Sequence, residues 1–289
     1  MFNPSGENAD PTSQFFRRRR DIQGIRAIAV LLVLAYHAKV PGFSGGYIGV
    51  DVFFVVSGFL ITSLLVREFD TTNKISLTNF YARRVRRLLP ASLVVVIGTL
   101  VISKIWLEPL RLNDLTQDAR AAALFATNIV FAVRESDYLQ SALPPSPLQH
   151  YWSLGVEEQF YIFFPIVVMV LLKLGKASKS LLITGLTMIT AVSFAVCVAI
   201  TPSMPAISFY LLPFRAWELG AGALLALLGS KVNRVKSVNR ELFGWVGLVI
   251  IIVTGFIYDS KTLFPGYAAG LPVVATIFLI VSGDNSKFG

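Results

Sequence analysis

The chain has 289 residues, of which 54% are hydrophobic and only 15% charged; with a mean hydropathy of +0.65, these proportions exclude an ordinary soluble domain. The formal net charge of +9 does not indicate nucleic acid as a partner, because the basic residues gather at the ends of apolar runs, where they set topology in a lipid bilayer. The single cysteine, Cys197, excludes an intrachain disulfide, and no internal repeat, low-complexity tract or metal-ligand pattern is present.

Residues 1–16 are polar and carry Pro4, Gly6 and Pro11, which predicts a disordered cytoplasmic tail. With the four arginines at 17–20 it makes up a basic region 1–21, and residues 22–289 form the membrane region. A helix needs roughly 20 apolar residues to cross a bilayer. Runs of that kind predict spans near 22–39, 50–67, 90–107, 150–172, 181–201, 208–229, 242–258 and 265–283. The first run has a basic start like that of a signal peptide. It holds Arg26, lacks a small-residue cleavage site and leads directly into a second span, so it reads as an uncleaved anchor. The stretch 119–133 is short between charges and reads as a re-entrant or interfacial helix. The fold class is therefore all-α, a polytopic transmembrane bundle of about eight spans with a cytoplasmic N-terminus.

Charge agrees with that orientation. Arg67, Lys74, Arg83, Arg84, Arg86 and Arg87 precede span 3; Lys173, Lys176 and Lys179 follow span 4; Lys231, Arg234, Lys236 and Arg240 follow span 6. All fall on the cytoplasmic side. The opposite segment 108–147 sets Glu108, Asp114, Asp118, Glu135 and Asp137 against three arginines.

Ionisable residues within apolar segments are costly and mark functional sites by default. In GIRAIAVLLVLAYHA, Arg26 and His37 are eleven residues apart, so a helix returns them to within roughly 20° of one face. An imidazole there suits proton transfer or acyl acceptance near neutral pH; the alternative is a residue at headgroup level. GGYIGVDVFFVVSGFLIT places Asp51 at the outer end of span 2, and its Ser57–Gly58 pair suits close helix packing. In NFYARRVRRLLPA, Arg83 and Arg86, or Arg84 and Arg87, are spaced to share a helix face and grip phosphate, or else to anchor the loop against anionic lipid. In QHYWSLGVEEQFY, His150, Ser153, Glu157 and Tyr161 can share a face, with Glu158 about 100° away; His150, Trp152, Ser153 and Tyr161 are candidates for substrate binding, although Trp152 alone would read as an interfacial aromatic. In FYLLPFRAWELGAGALLAL, Arg215 and Glu218 are three apart and are expected to pair with each other, either as a structural pair or, as substrate-binding candidates with Asp51, lining the same cavity.

Taken together, Arg26-x10-His37, GGYIGVDVFFVVSGFLIT, FYARRVRRLLPA, LQHYWSLGVEEQFY and FRAWELGAGALLAL resemble acyltransferase family 3, the polytopic membrane acyltransferases that include O-antigen and cell-surface polysaccharide O-acetylases. The resemblance covers residues 20 to about 283. It implies transfer of an acyl group, commonly acetyl, from cytoplasmic acyl-coenzyme A to a hydroxyl of an extracytoplasmic glycan or glycolipid, with no bound cofactor or metal. It further implies that His37 is the catalytic histidine with Arg26 as its companion. Arg83 and Arg86 would bind the donor, and Glu157 and Glu158 would shape the catalytic cavity. The pattern departs from the family at the C-terminus, where members usually continue with further spans, and many with an extracytoplasmic SGNH-type domain. The expectation is therefore a C-terminally truncated acyltransferase domain. A transporter or flippase is the competing reading, since buried charges in a helical bundle also mark solute paths.

Overall fold

The computed structural model describes residues 19–137, 144–229 and 237–283. The tail 1–18, the basic residues Lys231, Arg234 and Lys236, and the C-terminal stretch 284–289 lie outside the described residues. Among the described residues every regular element is a helix. These are α1 (Arg20–His37), α2 (Gly49–Thr72, entered through a 3₁₀ turn at Gly46–Ile48), α3 (Leu77–Trp106), α4 (Pro109–Ala123), α5 (Thr127–Ser136), α6 (Tyr151–Leu174), α7 (Lys179–Ile200), α8 (Pro205–Tyr210), α9 (Leu212–Leu227), α10 (Ser237–Ile257) and α11 (Gly270–Gly283). Local chemistry starts several of them. The Ser76 hydroxyl caps α3 by accepting from Asn79 N, and Pro109 and Pro205 occupy the first turns of α4 and α8, where a missing N–H costs nothing.

Five helices are long and apolar enough to cross a membrane: Gly46–Thr72, Leu77–Trp106, Tyr151–Leu174, Lys179–Ile200 and Asn239–Ile257. The protein is an all-helical membrane protein. The other three expected spans are weaker. Helix α1 is 18 residues long but carries Arg20, Asp21 and Arg26. The expected span 208–229 is interrupted at Leu211, leaving α9 with 16 residues. Helix α11 has 14 residues, a rise of about 21 Å against a hydrocarbon core of about 30 Å. The stretch 119–133 is not one helix at all. It breaks between α4 and α5 at Leu124 to Ala126, where Phe125 takes a left-handed φ of 52°.

The chain divides into two compact units, Met1–Leu64 with Ala221–Thr262 and Gly270–Gly289, and Leu65–Gly220 with Leu263–Ala269. In the first unit, close backbone approach is possible because of two glycines. A Cβ on Gly46 would meet the Leu32 carbonyl and the Tyr36 Cβ, and one on Gly49 would meet the Ala29 carbonyl and Val33. Small residues at such points let helices pack where apolar surface alone gives little drive in lipid. Helix α10 packs on α11, with Phe243 stacked on Phe278 at 5.0 Å. Arg19 grips Asp21 at 2.7 Å and donates to the Ile280 carbonyl in the last turn of α11, which favours a cation.

In the second unit, α3 and α6 run antiparallel and are pinned at three levels. Tyr151 Oη donates to the Ser92 carbonyl (3.0 Å), Arg84 pairs with Glu158, and Tyr81 Oη donates to the Ile162 carbonyl (2.7 Å). Helices α4 and α5 are tied by Arg134, whose guanidinium donates twice to the buried Asp118 carboxylate at 2.7 and 3.1 Å. Beneath them Val96, Leu115, Ala119, Ala122 and Leu148 form a continuous apolar core.

Candidate active site

Among the arginines of α3, the helical winding turns one inward. Arg84 is half-buried, whereas Arg83, Arg86 and Arg87 stay exposed. The Arg84 guanidinium meets Glu158 through Nη2 at 2.6 Å and Nε at 3.4 Å, and lies 3.5 Å over the ring of Tyr161. The Tyr161 hydroxyl in turn donates to Glu157 Oε2 at 3.4 Å. Thus the arginine motif and the VEEQFY motif, which are far apart in sequence, form one cluster of Arg84, Glu157, Glu158 and Tyr161. The Glu158 side chain is only 10% exposed, so the pair stands in low dielectric, where losing either partner would strand a charge. Arg83 lies 3.9 Å from Glu68, whose other carboxylate oxygen accepts from Ser76 N. Glu68 thereby holds the turn that starts the arginine-bearing helix.

A second buried pair closes another part of the same unit. Arg215 and Glu218 meet at 3.2 Å and are both fully buried, as their spacing predicts. Trp152, Phe209 and Phe264 surround the guanidinium at 5.4 to 5.9 Å, faces that suit a cation. Trp152 of the α6 motif is buried beside this guanidinium. His150 is the N-cap residue of α6, one position before its first turn, and the Ser153 hydroxyl donates back to the His150 carbonyl. Glu157 and Glu158 divide as their angular spacing requires, with Glu158 buried and Glu157 partly exposed.

Sequence reasoning missed two polar elements of this unit. Gln159 and Asn128 exchange amide hydrogen bonds at 2.8 and 3.2 Å, and Asn128 also donates to the Tyr210 carbonyl. The Tyr210 hydroxyl donates to Glu135. Burial of the carboxyl end, partly offset by that hydrogen bond, raises the proton affinity of Glu135. An amide within the glutamate motif was the one available signal for the Gln159 pair.

The first unit holds His37, Arg26 and Asp51. His37 is the last residue of α1, and its Nδ1 lies 2.8 Å from the Val33 carbonyl oxygen. A carbonyl can only accept, so Nδ1 carries the proton and Nε2 is the basic nitrogen of the neutral ring. Tyr36 packs edge-on against the imidazole at 4.9 Å and against Tyr47 at 5.5 Å. Arg26 is half-buried one turn from Gln23, whose Oε1 it reaches at 3.4 Å. Asp51, in the first turn of α2, is fully buried.

Residues 19–286 match the acyltransferase domain family. The chain belongs to that family. The acyltransferase domain is 34% identical over 269 residues to the peptidoglycan O-acetyltransferase OatA of Listeria monocytogenes, covering 90% of this chain and 43% of that protein. It is 33% identical over 268 residues to the O-acetyltransferase OatA of Staphylococcus aureus, covering 92% and 41%. A putative O-acetyltransferase of S. aureus strain COL is 33% identical over 273 residues, covering 90% and 44%. The chain thus spans less than half the length of these curated relatives. No solved structure matches it.

Proposed function

We propose that this acyltransferase domain moves an acyl group, acetyl in the first instance, from cytoplasmic acyl-coenzyme A to a hydroxyl of an extracytoplasmic cell-envelope glycan or glycolipid, as a multi-pass protein of the cell membrane. The similarity to enzymes named as peptidoglycan O-acetyltransferases supports a polysaccharide acceptor. The observation that carries the chemistry is the hydrogen bond from His37 Nδ1 to the Val33 carbonyl, which fixes the tautomer with a basic Nε2.

In this reading His37 Nε2 takes the proton of the acceptor hydroxyl as its oxygen attacks the thioester carbonyl. The new C–O bond forms, the C–S bond breaks, and the imidazolium returns the proton to the departing thiolate. Arg26, some 16 Å along the same helix by rise per residue, offers a fixed cation toward the cytoplasmic end. Arg83, Arg86 and Arg87 present exposed guanidiniums to the donor's phosphates, with bidentate geometry available to each. Arg84 is engaged with Glu158, and its part is to hold α3 in place so that its neighbours face outward. Arg215 and Glu218 brace Trp152 at the start of α6.

Purified protein with radiolabelled acetyl-coenzyme A and a soluble glycan acceptor tests this. His37→Ala is expected to lower transfer by at least ~10²-fold, the lower range for general acid–base catalysis, without changing the melting temperature. Near-normal transfer by folded His37→Ala protein overturns the assignment. Absence of transfer by the unaltered chain, with vectorial movement of a solute instead, would favour the transporter reading.

A further inference from the structure

The second unit contains a cleft of about 220 Å³ built by α4, α5 and the segment 144–149. It stands apart from both ion-pair clusters described above. Its volume is below the roughly 300–1,000 Å³ of sites for drug-sized molecules, and so suits a ligand of one ring. The walls combine two chemistries. Phe131, Leu115 and the prolines at 144, 145 and 147 are apolar and conformationally stiff, while Asp114, Asp118 and Glu135 supply carboxylates.

The cleft's two cations are committed to its frame. Arg134 donates to both oxygens of Asp118, and Arg111 Nη2 donates to the carbonyls of Pro144 and Pro145 at 3.4 Å each. Glu135 is held from the other side by Tyr210 Oη, which also receives a hydrogen bond from Gln149. Each carboxylate has about four lone-pair sites, and the partners named here occupy only some of them. The cleft therefore presents carboxylate acceptors together with the Ser146 hydroxyl and the Gln149 amide. Three carboxylates against two arginines, one of them paired with Asp118, disfavour an anion. A ligand must bring hydroxyl or amide N–H donors and also an apolar face to lie on Phe131 and the prolines.

A pyranose has both, since its hydroxyls point outward around the ring edge and its C–H groups form an apolar face. We propose that this cleft is a saccharide subsite that takes one neutral pyranose unit of a glycan strand. The inference rests on the proposed glycan acceptor for its biological meaning, but binding itself is independent of acyl transfer. Asp114 is the informative residue because it is exposed on the surface of α4, outside the buried Asp118–Arg134 pair, so its replacement is expected to leave the fold intact.

Saturation-transfer NMR on the full chain in detergent, without any acyl donor, would use N,N′-diacetylchitobiose as the probe and spermidine as a cationic competitor. The unaltered chain is expected to transfer saturation to the ring C–H protons. Asp114→Asn combined with Glu135→Gln should weaken binding by ~10-fold or more, the loss expected when charge-assisted acceptors are removed. Asp114→Trp, which fills the cleft, should abolish the signal, and Asn113→Trp next to it should not. Equal binding by the unaltered chain and Asp114→Trp overturns the site, as does displacement of the sugar by spermidine at lower concentration than the sugar itself binds. A chain that binds sugar through the cleft but transfers no acyl group keeps this site and loses the proposed function. One that acylates glycan with no cleft-dependent binding does the reverse.

Discussion

Arg84 and Glu158 show how much a single pair decides in this protein. Both lie in helices of apolar surroundings, the carboxylate being 10% and the guanidinium 20% exposed. Removing one partner of such a pair costs roughly 3–5 kcal/mol because the other charge is left without compensation, while replacing both by apolar groups is often close to neutral. Glu158→Ala and Arg84→Ala are each expected to lower the melting temperature in detergent by several degrees, and Arg84→Met with Glu158→Leu to recover most of that loss. Additive losses in the double variant would show that the two residues act separately. None of this was legible in the arginine motif alone. Helical spacing offered two equivalent pairs, Arg83 with Arg86 and Arg84 with Arg87, and only a partner 74 residues away distinguishes Arg84. The Arg215–Glu218 pair was legible because both charges lie on one helix, three residues apart in an otherwise apolar run.

At the scale of elements, long apolar runs announced their helices, and the helix ends explain where the expected spans differ. Helix α3 begins at Leu77, thirteen residues before the expected start, because Ser76 caps it and the arginine motif winds into the same helix. It continues past Pro90, whose ring removes one backbone hydrogen bond without ending the helix. The break at Leu124 to Ala126 had no glycine or proline to mark it, and Phe125 turns left-handed with Ala126 N bonding back to the Ala121 carbonyl. Two short helices in place of one leave α4 and α5 each too short to span, and the expectation is that a single crossing, α6, separates residue 113 from residue 178. Asn113→Cys and Ser178→Cys are both on exposed positions, and the native Cys197 is fully buried, which keeps background labelling low. An impermeant maleimide added to intact cells should label position 113 and reach position 178 only after permeabilisation. Labelling of both positions from the outside would put a second crossing between them and reverse the orientation of everything downstream.

Across the whole molecule the basic excess is expected to set orientation, and the proposed donor gives it a second use. A net charge of +9, gathered in segments expected on the cytoplasmic side, attracts any polyphosphate ligand, but that attraction alone is screened by salt and carries no geometry. Arginines carried on one anchored helix add geometry. Arg83, Arg86 and Arg87 project from a helix whose start is held by Glu68 and whose inner face is locked by Arg84, so their spacing is set before the donor arrives. Acetyl-coenzyme A binding should therefore weaken steeply as salt rises from about 0.1 M to about 1 M, over which the screening length falls from ~10 Å to ~3 Å. Arg83→Ala with Arg86→Ala should bind the donor at least ~10-fold more weakly at low salt, with a shallower salt dependence than the unaltered chain, because two charge-assisted contacts are gone. Glycan acylation at saturating donor should fall much less than donor affinity, since these residues hold the substrate and take no proton. If the double variant binds acetyl-coenzyme A as tightly as the unaltered chain but inserts with mixed orientation, the arginines are topology anchors, and the donor's phosphates must be held elsewhere.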